Sequence, residues 1–160
     1  MQQQKYTTIL TDPPWPIADP RQKQVPVGHG GRVAFNREGI GAKVARAWGY
    51  EPLREFIWAK KSFGMGTFPR PQHEILMVCR RGKLDYGPRD VGSVQWWNQP
   101  RAQNNGGKIH SAKPDAAIDM IELASPGPYL ELFARQNRMG WDTWGDQCFN
   151  DIELTTNTST

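Results

Sequence analysis

Short runs of apolar, β-prone residues alternate with polar loops along the chain and predict the strands of an open sheet. The runs lie at residues 7–11, 53–60, 74–80, 93–97 and 129–134. Each is rich in Val, Ile, Leu, Thr or aromatic residues and is bounded by Gly, Pro or charged residues, as strands are. The third run is apolar enough to predict a central strand that is buried on both faces.

Two further segments carry the helical repeat of apolar positions. Ile40, Val44 and Trp48 lie four residues apart on one face of a helix predicted over residues 38–48, and the glycine that follows would cap it. The second helix begins at Pro114, since proline fits the first helical position. Helices that alternate with strands indicate an α/β fold with substantial parallel pairing.

Length and composition are those of one compact domain with long loops. The chain has 160 residues, of which 38% are hydrophobic, enough for a core of its own. Sixteen Gly and thirteen Pro indicate that much of the remainder is loop. We therefore predict a single domain over residues 1–149 and a disordered tail over residues 150–160, which end in a run of Thr, Asn and Ser.

The charge balance is mildly basic, with 20 Lys and Arg against 16 acidic residues and a net charge of +4. Such an excess fits a polyanionic partner, although ordinary surface charge explains it equally well. Arg21, Lys23, Arg32 and Lys61 lie in predicted loops, where they could contact phosphates or simply be solvated.

Several classes of protein are disfavoured. The two cysteines, Cys79 and Cys148, have no metal-binding spacing with each other or with the three histidines, so no metal is expected. No apolar run approaches the length of a membrane span, and the first residues do not read as a signal peptide. We expect a cytoplasmic protein that does not associate with membranes.

The first predicted strand ends in a motif that could carry chemistry, Asp12-Pro13-Pro14-Trp15. Ligands of open α/β sheets bind at the carboxyl ends of strands. An exocyclic amine of a base is a weak nucleophile, and the Asp12 carboxylate and the Pro13 carbonyl could accept its two hydrogens. Trp15 offers a face on which a base could stack. A turn with a buried tryptophan is the alternative, and the motif alone does not decide between them.

Three further segments accompany this motif in a fixed order. They are His110-Ser111-Ala112-Lys113-Pro114-Asp115, the run from Ser125 to Arg135, and Trp141-Asp142-Thr143-Trp144-Gly145-Asp146-Gln147. With them, the chain resembles the DPPW-type, or beta-class, N6-adenine methyltransferases. This is the family of the catalytic subunit of the eukaryotic mRNA adenosine N6-methyltransferase, and it has small bacterial and phage members.

The resemblance implies a Rossmann-like methyltransferase sheet, S-adenosylmethionine as methyl donor and direct transfer to the amine of an adenine. It assigns the catalytic contacts to Asp12, Pro13, Pro14 and Trp15. The cofactor contacts that it implies are Asp12 and Lys113 for the methionine end, Glu131, Arg135 and Asn137 for the ribose, and Asp146 and Gln147 for the nucleoside. Taken alone, the Lys113 and Glu131 side chains would be read as a solvated surface charge and a structural ion-pair member.

The chain departs from the family pattern after the first motif. Only Val33-Ala34-Phe35 stands where the family has a central strand and helix, so the sheet is expected to lack one strand-helix unit. Three functions stay open. They are N6-adenine methylation, with DNA favoured over RNA as the nucleic-acid substrate, a catalytically inactive binding or scaffold subunit, and cytosine N4 methylation. A homodimer or heterodimer also stays open.

Overall fold

The structure is a computed structural model, and it describes residues 6–13, 40–64, 69–83, 87–100 and 112–154. The elements in chain order are β1 (Thr8–Thr11), α1 (Ile40–Ala47), β2 (Glu51–Ala59), β3 (His73–Arg80), β4 (Val94–Trp96), α2 (Asp115–Ala124), β5 (Tyr129–Leu132) and β6 (Trp141–Trp144). Each predicted strand and helix has a counterpart, with bounds shifted by a few residues. The contacts divide the chain into two compact units, one of Met1–Pro16 with Glu122–Thr160 and one of Ile17–Ile121.

The first unit contains a three-stranded sheet in the order β1-β5-β6, and both pairings are parallel. Parallel strands need a long connection, and here the two ends of the chain meet in one sheet. This confirms the predicted mixed α/β fold with parallel pairing. A Rossmann-like methyltransferase sheet that lacks one central strand-helix unit and the single domain over residues 1–149 stay predictions.

The core of this unit comes from the apolar positions of β5 and β6. Leu130 and Trp141 are buried, and the Tyr129 and Trp141 rings stack with their centroids 4.7 Å apart. Trp141 also donates its indole hydrogen to Glu122 Oε1 at 2.7 Å. The polar end of a buried tryptophan needs such a partner, so this side chain ties α2 to the sheet.

The outer edge of β6 is covered by the segment that follows it. The Thr143 amide donates to Asp151 Oδ2 at 2.9 Å, and the Asp151 amide donates to the Thr143 carbonyl at 2.9 Å. An uncovered sheet edge would leave such groups without partners. Asn150 and Asp151, at the start of the predicted tail, hydrogen-bond to Gly145 and Thr143 at the end of the sheet, and the disordered tail stays a prediction. Residues 155–160 lie outside the described residues.

The second unit contains a mixed sheet in the order β3-β2-β4, in which β2 is antiparallel to β3 and parallel to β4. The strand predicted to be central, β3, therefore lies at an edge of the described sheet. Its Ile75 and Val78 side chains are exposed, whereas Phe56 and Trp58 of β2 are buried. An apolar run indicates the hydrophobicity of a strand but not the number of neighbouring strands. It therefore could not distinguish a central strand from an edge strand.

Helix α1 packs on β2 and β3 and ends as predicted. Gly49 has a φ of 80°, its amide donates to the Arg46 carbonyl at 2.9 Å, and the Tyr50 amide donates to the Ala45 carbonyl at 2.8 Å. These two bonds form a Schellman cap, which requires a residue with positive φ at the glycine position. The predicted capping by Gly49 is confirmed.

Other predictions fall on residues that are not described. Pro14, Trp15, the loop of residues 16–36 and His110 are among them. In the described part of the chain, no helix is both long and apolar enough to cross a membrane.

Candidate active site

The carboxyl ends of three parallel strands meet at one edge of the first unit's sheet. Thr11, Leu132 and Trp144 are register partners, so β1, β5 and β6 end side by side. Neighbouring strands lie about 4.8 Å apart, and the residues that follow the three strands therefore leave the sheet in a row. In open α/β sheets, this edge is where ligands bind.

Asp12 and Pro13 are the first residues beyond β1 at this edge. Asp12 is exposed, and Pro13 is half-buried. Pro13 and the proline that follows it in the sequence have no backbone N–H to donate, so the hydrogen-bond ladder of β1 ends here. The Thr11 hydroxyl beside them is buried and has no hydrogen-bond partner. The strand thus delivers a carboxylate and a conformationally restricted carbonyl to the ligand-binding edge.

Phe133 turns the chain at the end of β5 through a conformation that side chains rarely adopt. Its φ of 61° lies in the left-handed region, where non-glycine residues are uncommon. The turn allows the Ala134 amide to donate to the Trp144 carbonyl at 3.0 Å. A Cβ on Gly145 would lie 2.1 Å from the Ala134 carbonyl oxygen, so only glycine fits at this crossing. Strained backbone of this kind clusters at ligand sites.

A network of hydrogen bonds closes the loop that follows β6. Asn137 donates to Thr143 Oγ1 at 2.7 Å and to the Phe149 carbonyl at 2.8 Å, and its Oδ1 accepts from the Phe149 amide at 2.9 Å. The Gly145 amide donates to Asn150 Oδ1 at 2.8 Å. Thr143 is fully buried under this network. Both ends of the loop are therefore fixed by neutral hydrogen bonds.

Asp146 and Gln147 lie inside this closed loop and are exposed. Within the described residues, neither side chain has a hydrogen bond or an ion pair. Their loop is fixed while their polar groups remain available, which suits residues that bind a polar ligand.

Glu131 and Arg135 flank the turn at the end of β5. Glu131 is half-buried on the strand, in register with Leu10 and Thr143, and Arg135 is exposed in the loop beyond it. Both are engaged by other groups of the protein. Asn137, the third residue predicted to contact a ribose, uses both amide hydrogens within the network, so only one lone pair of its Oδ1 remains for a ligand.

The second unit contains a cluster of alternating charges around Glu74 of β3. Lys60, just beyond β2, binds Glu74 Oε1, and Lys113, just before α2, binds Glu74 Oε2 with 3.0 Å between the atoms. The Lys60 ammonium also lies 4.7 Å from the centre of the Trp58 ring. Lys113 is therefore held against Glu74 while part of its side chain stays exposed, and it is also engaged by another group of the protein.

The two lysines set the protonation of the carboxylate between them. Burial alone would raise the pKa of Glu74, but the hydrogen bond from Lys60 and the charge of Lys113 outweigh it, so the pKa lies below 4.5. At neutral pH Glu74 is therefore ionised, as an ion-pair partner of both lysines must be.

The six residues that were predicted to contact the cofactor, besides Asp12, are divided between the two units. Glu131, Arg135, Asn137, Asp146 and Gln147 follow or lie on the strands of the first unit, with Asp12, whereas Lys113 belongs to the second unit. Among the described residues, no group of three or more His, Cys, Asp or Glu could hold a metal ion.

Glu74, Asn150 and Asp151 contribute to these sites but could not be identified from the sequence pattern. Glu74 pairs with Lys60, which lies 14 residues before it, and with Lys113, which lies far after it in the chain. A sequence pattern contains no signal for such long-range pairs. Asn150 and Asp151 carry a weak sequence signal, because Asn and Asp side chains that follow a strand commonly hydrogen-bond to nearby backbone groups.

A parallel sheet with strained turns and uncommitted polar side chains at its carboxyl edge has the features of the edge at which open α/β proteins bind ligands. A match to a protein-family model identifies the family to which this α/β protein belongs. The MT-A70 family model matches residues 33–147, and the chain belongs to this family. This confirms the family resemblance. The match begins after Asp12-Pro13-Pro14-Trp15, so the role of that motif stays a prediction.

Individual relatives are named as methyltransferases. The chain is 36% identical to the Mycoplasma type II methyltransferase M.MunI over 117 residues, which are 71% of this chain and 47% of the relative. It is 26% identical over 175 residues to human METTL3, the N(6)-adenosine-methyltransferase catalytic subunit, covering 89% of this chain and 28% of the relative. With human METTL4, an N(6)-adenine-specific methyltransferase, the identity is 28% over 111 residues, which are 63% of this chain and 24% of the relative.

The lengths of these alignments bear on the shortened middle. The chain spans less than half the length of each of these relatives. The METTL3 alignment extends over 175 residues, more than the 160 of the whole chain, so METTL3 carries residues within the aligned region that this chain lacks. The loss of one central strand-helix unit stays a prediction.

Proposed function

We propose that the protein transfers a methyl group from S-adenosylmethionine to N6 of adenine in a nucleic acid. The observation that carries this proposal is the row of predicted residues at the carboxyl edge of β1, β5 and β6, in a chain that belongs to the MT-A70 family. We favour DNA over RNA as substrate, because the identity is higher with the bacterial type II methyltransferase than with the relative named for adenosine.

In this proposal, the first unit binds the nucleoside part of the cofactor. Asp146 and Gln147 supply uncommitted polar groups to it, and Glu131 and Arg135 contact the ribose hydroxyls. A carboxylate accepts from hydroxyls, a guanidinium donates to them, and a carboxamide can do both. The residues present therefore have the chemistry that a ribose and a purine require.

Lys113 binds the carboxylate of the methionine part. Glu74 already shows that the Lys113 ammonium can hold a carboxylate at 3.0 Å. The cofactor's carboxylate would then share Lys113 with Glu74.

Bound S-adenosylmethionine supplies an electrophilic methyl group on a sulfonium, and the protein orients the amine that attacks it. Asp12 and the Pro13 carbonyl accept hydrogen bonds from the two N6 hydrogens, which turns the nitrogen lone pair toward the methyl group. Pro14 restricts the conformation of that carbonyl, and Trp15 stacks on the base. In a DNA duplex the adenine must first be flipped out, at a cost of a few kcal/mol.

The test is incubation of the protein with methyl-labelled S-adenosylmethionine and separate pools of DNA and RNA, followed by mass spectrometry of the nucleosides. We expect N6-methyladenine, and we expect Asp12→Ala to lower turnover by about a hundredfold or more, as loss of a preorganised group does. Methylcytosine as product would assign the activity to cytosine N4. Equal turnover in the Asp12→Ala variant would remove Asp12 from the mechanism.

A second candidate is a methyltransferase-like binding subunit without activity. The shortened chain favours it, since METTL3 carries aligned residues that are missing here. Binding of S-adenosylhomocysteine without transfer to any nucleic acid would support this second candidate against the first.

A further inference from the structure

The loop between β6 and residue 150 is held in a way that the proposed cofactor contacts do not account for. Its polar neighbours, Asn137, Thr143 and Asn150, all direct their side chains into the protein. The residues between Gly145 and Phe149 make up the loop itself. A loop that is fixed at both ends while the Asp146 and Gln147 side chains remain uncommitted is built to present those two side chains.

Asn150 fixes the first residue of the loop. Its Oδ1 accepts from the Gly145 amide at 2.8 Å, and the Cys148 thiol lies 3.9 Å from the same oxygen. This bond needs only an acceptor at position 150. Because Gly145 directly precedes Asp146, the bond fixes the direction in which the backbone enters the presenting part of the loop.

Asn137 fixes the far end of the loop. It donates to the Phe149 carbonyl and accepts from the Phe149 amide, at 2.8 and 2.9 Å, and it donates to Thr143 Oγ1 at 2.7 Å. This set needs two donors and one acceptor, which only an amide side chain of this length supplies.

We propose that Asn150 and Asn137 are positioning residues that hold Asp146 and Gln147 in the orientation in which they bind the cofactor's nucleoside. This inference rests on the proposed function. It predicts that the two asparagines affect affinity for the cofactor without touching the amine that is methylated.

The two positions have different hydrogen-bond requirements, and this gives a test by conservative substitution. Asn150→Asp keeps the acceptor, whereas Asn150→Ala removes it. Asn137→Asp replaces the donating nitrogen with an oxygen that faces Thr143 Oγ1 and the Phe149 carbonyl oxygen. It should therefore weaken cofactor binding as Asn137→Ala does. Aspartate should therefore preserve the affinity for the cofactor at position 150 but not at position 137. A loss of packing alone would not produce this contrast.

The experiment is calorimetric titration of each variant with S-adenosylhomocysteine, together with steady-state kinetics on methyl transfer. We expect Asn150→Ala to weaken binding about fivefold to tenfold, as loss of one hydrogen bond does, and to raise KM for S-adenosylmethionine while kcat stays unchanged. Asn150→Asp should stay within about twofold of the wild type. Asn98→Ala, which changes an exposed asparagine of the second unit, is the control and should bind as the wild type does.

Unchanged affinity in Asn150→Ala, or equal loss in Asn150→Asp and Asn150→Ala, would overturn the inference while leaving the proposed function in place. A wild-type protein that does not bind S-adenosylhomocysteine would overturn both. If Asn150→Ala fails to fold, hydrogen exchange of the Gly145 amide in the wild type decides. Protection supports the bond to Asn150, and exchange at the rate of an open amide contradicts it.

Discussion

The two units position their candidate ligand-binding residues by different physical means. In the first unit, neutral hydrogen bonds and a close backbone crossing fix the loops around Asp146 and Gln147. In the second, opposite charges hold Lys113 against Glu74. Neutral hydrogen bonds depend little on salt or moderate pH, whereas half-exposed ion pairs are screened by salt and lost on protonation. The loop around Asp146 and Gln147 should therefore keep its structure under conditions of salt and pH that weaken the ion pairs of Glu74.

The largest expected effect is steric and falls on the first unit. Gly145→Ala would place a Cβ 2.1 Å from the Ala134 carbonyl oxygen, so the backbone crossing must open. We expect a loss of about 2 kcal/mol or more in the free energy of unfolding, measured by urea denaturation. Gly92→Ala is the matched control, since nothing lies within 4 Å of its Cβ position. A Gly145→Ala variant as stable as Gly92→Ala would show that the crossing is not as tight as described.

An intermediate effect is expected at Lys113. Lys113→Ala removes the ammonium proposed to bind the cofactor's carboxylate, so affinity for S-adenosylhomocysteine should fall about tenfold or more. Titration calorimetry measures it, and Lys43→Ala on the exposed side of α1 provides a control of equal charge change. Affinity that is the same in Lys113→Ala and Lys43→Ala would return Lys113 to a purely structural ion pair with Glu74.

The smallest effect concerns the pH dependence of the charged cluster. The pKa of Glu74 is lowered in the folded protein, so its contribution to stability is present above the unfolded value of 4.5 and is lost as the pH falls through the folded value. We expect Glu74→Gln to cost about 1 kcal/mol at pH 7. This difference from the wild type should shrink as the pH is lowered below 4.5. Urea denaturation at several pH values checks it, and a difference independent of pH would contradict the ion pairs.

Five of the strands and both helices of the described residues could be predicted from the sequence, for physical reasons that are specific to each, but β6 was not predicted. The β1 strand could be predicted because β-prone residues stop at two prolines, and the start of α2 because Pro114 fits only the first turn. Parallel pairing then brings the ends of β1, β5 and β6 together, which is why a motif at residue 12 and another at residues 146–147 share an edge.

What the sequence could not provide depends on contacts between distant residues. The edge position of β3 is set by its partners and not by its apolar composition. Asn150 and Asp151 resemble a polar tail in sequence, because their hydrogen bonds to Gly145 and to Thr143 of β6 exist only once the strand has formed. Glu74 is one glutamate among many until the fold brings Lys60 and Lys113 to it.

The central claim is that the carboxyl edge of the β1-β5-β6 sheet binds the cofactor. Hydrogen–deuterium exchange with and without S-adenosylhomocysteine tests it most directly, because it locates binding on the backbone without any substitution. We predict slower exchange in peptides that cover residues 133–137 and 145–149. Binding with protection confined to other segments, or no binding at all, would contradict the claim.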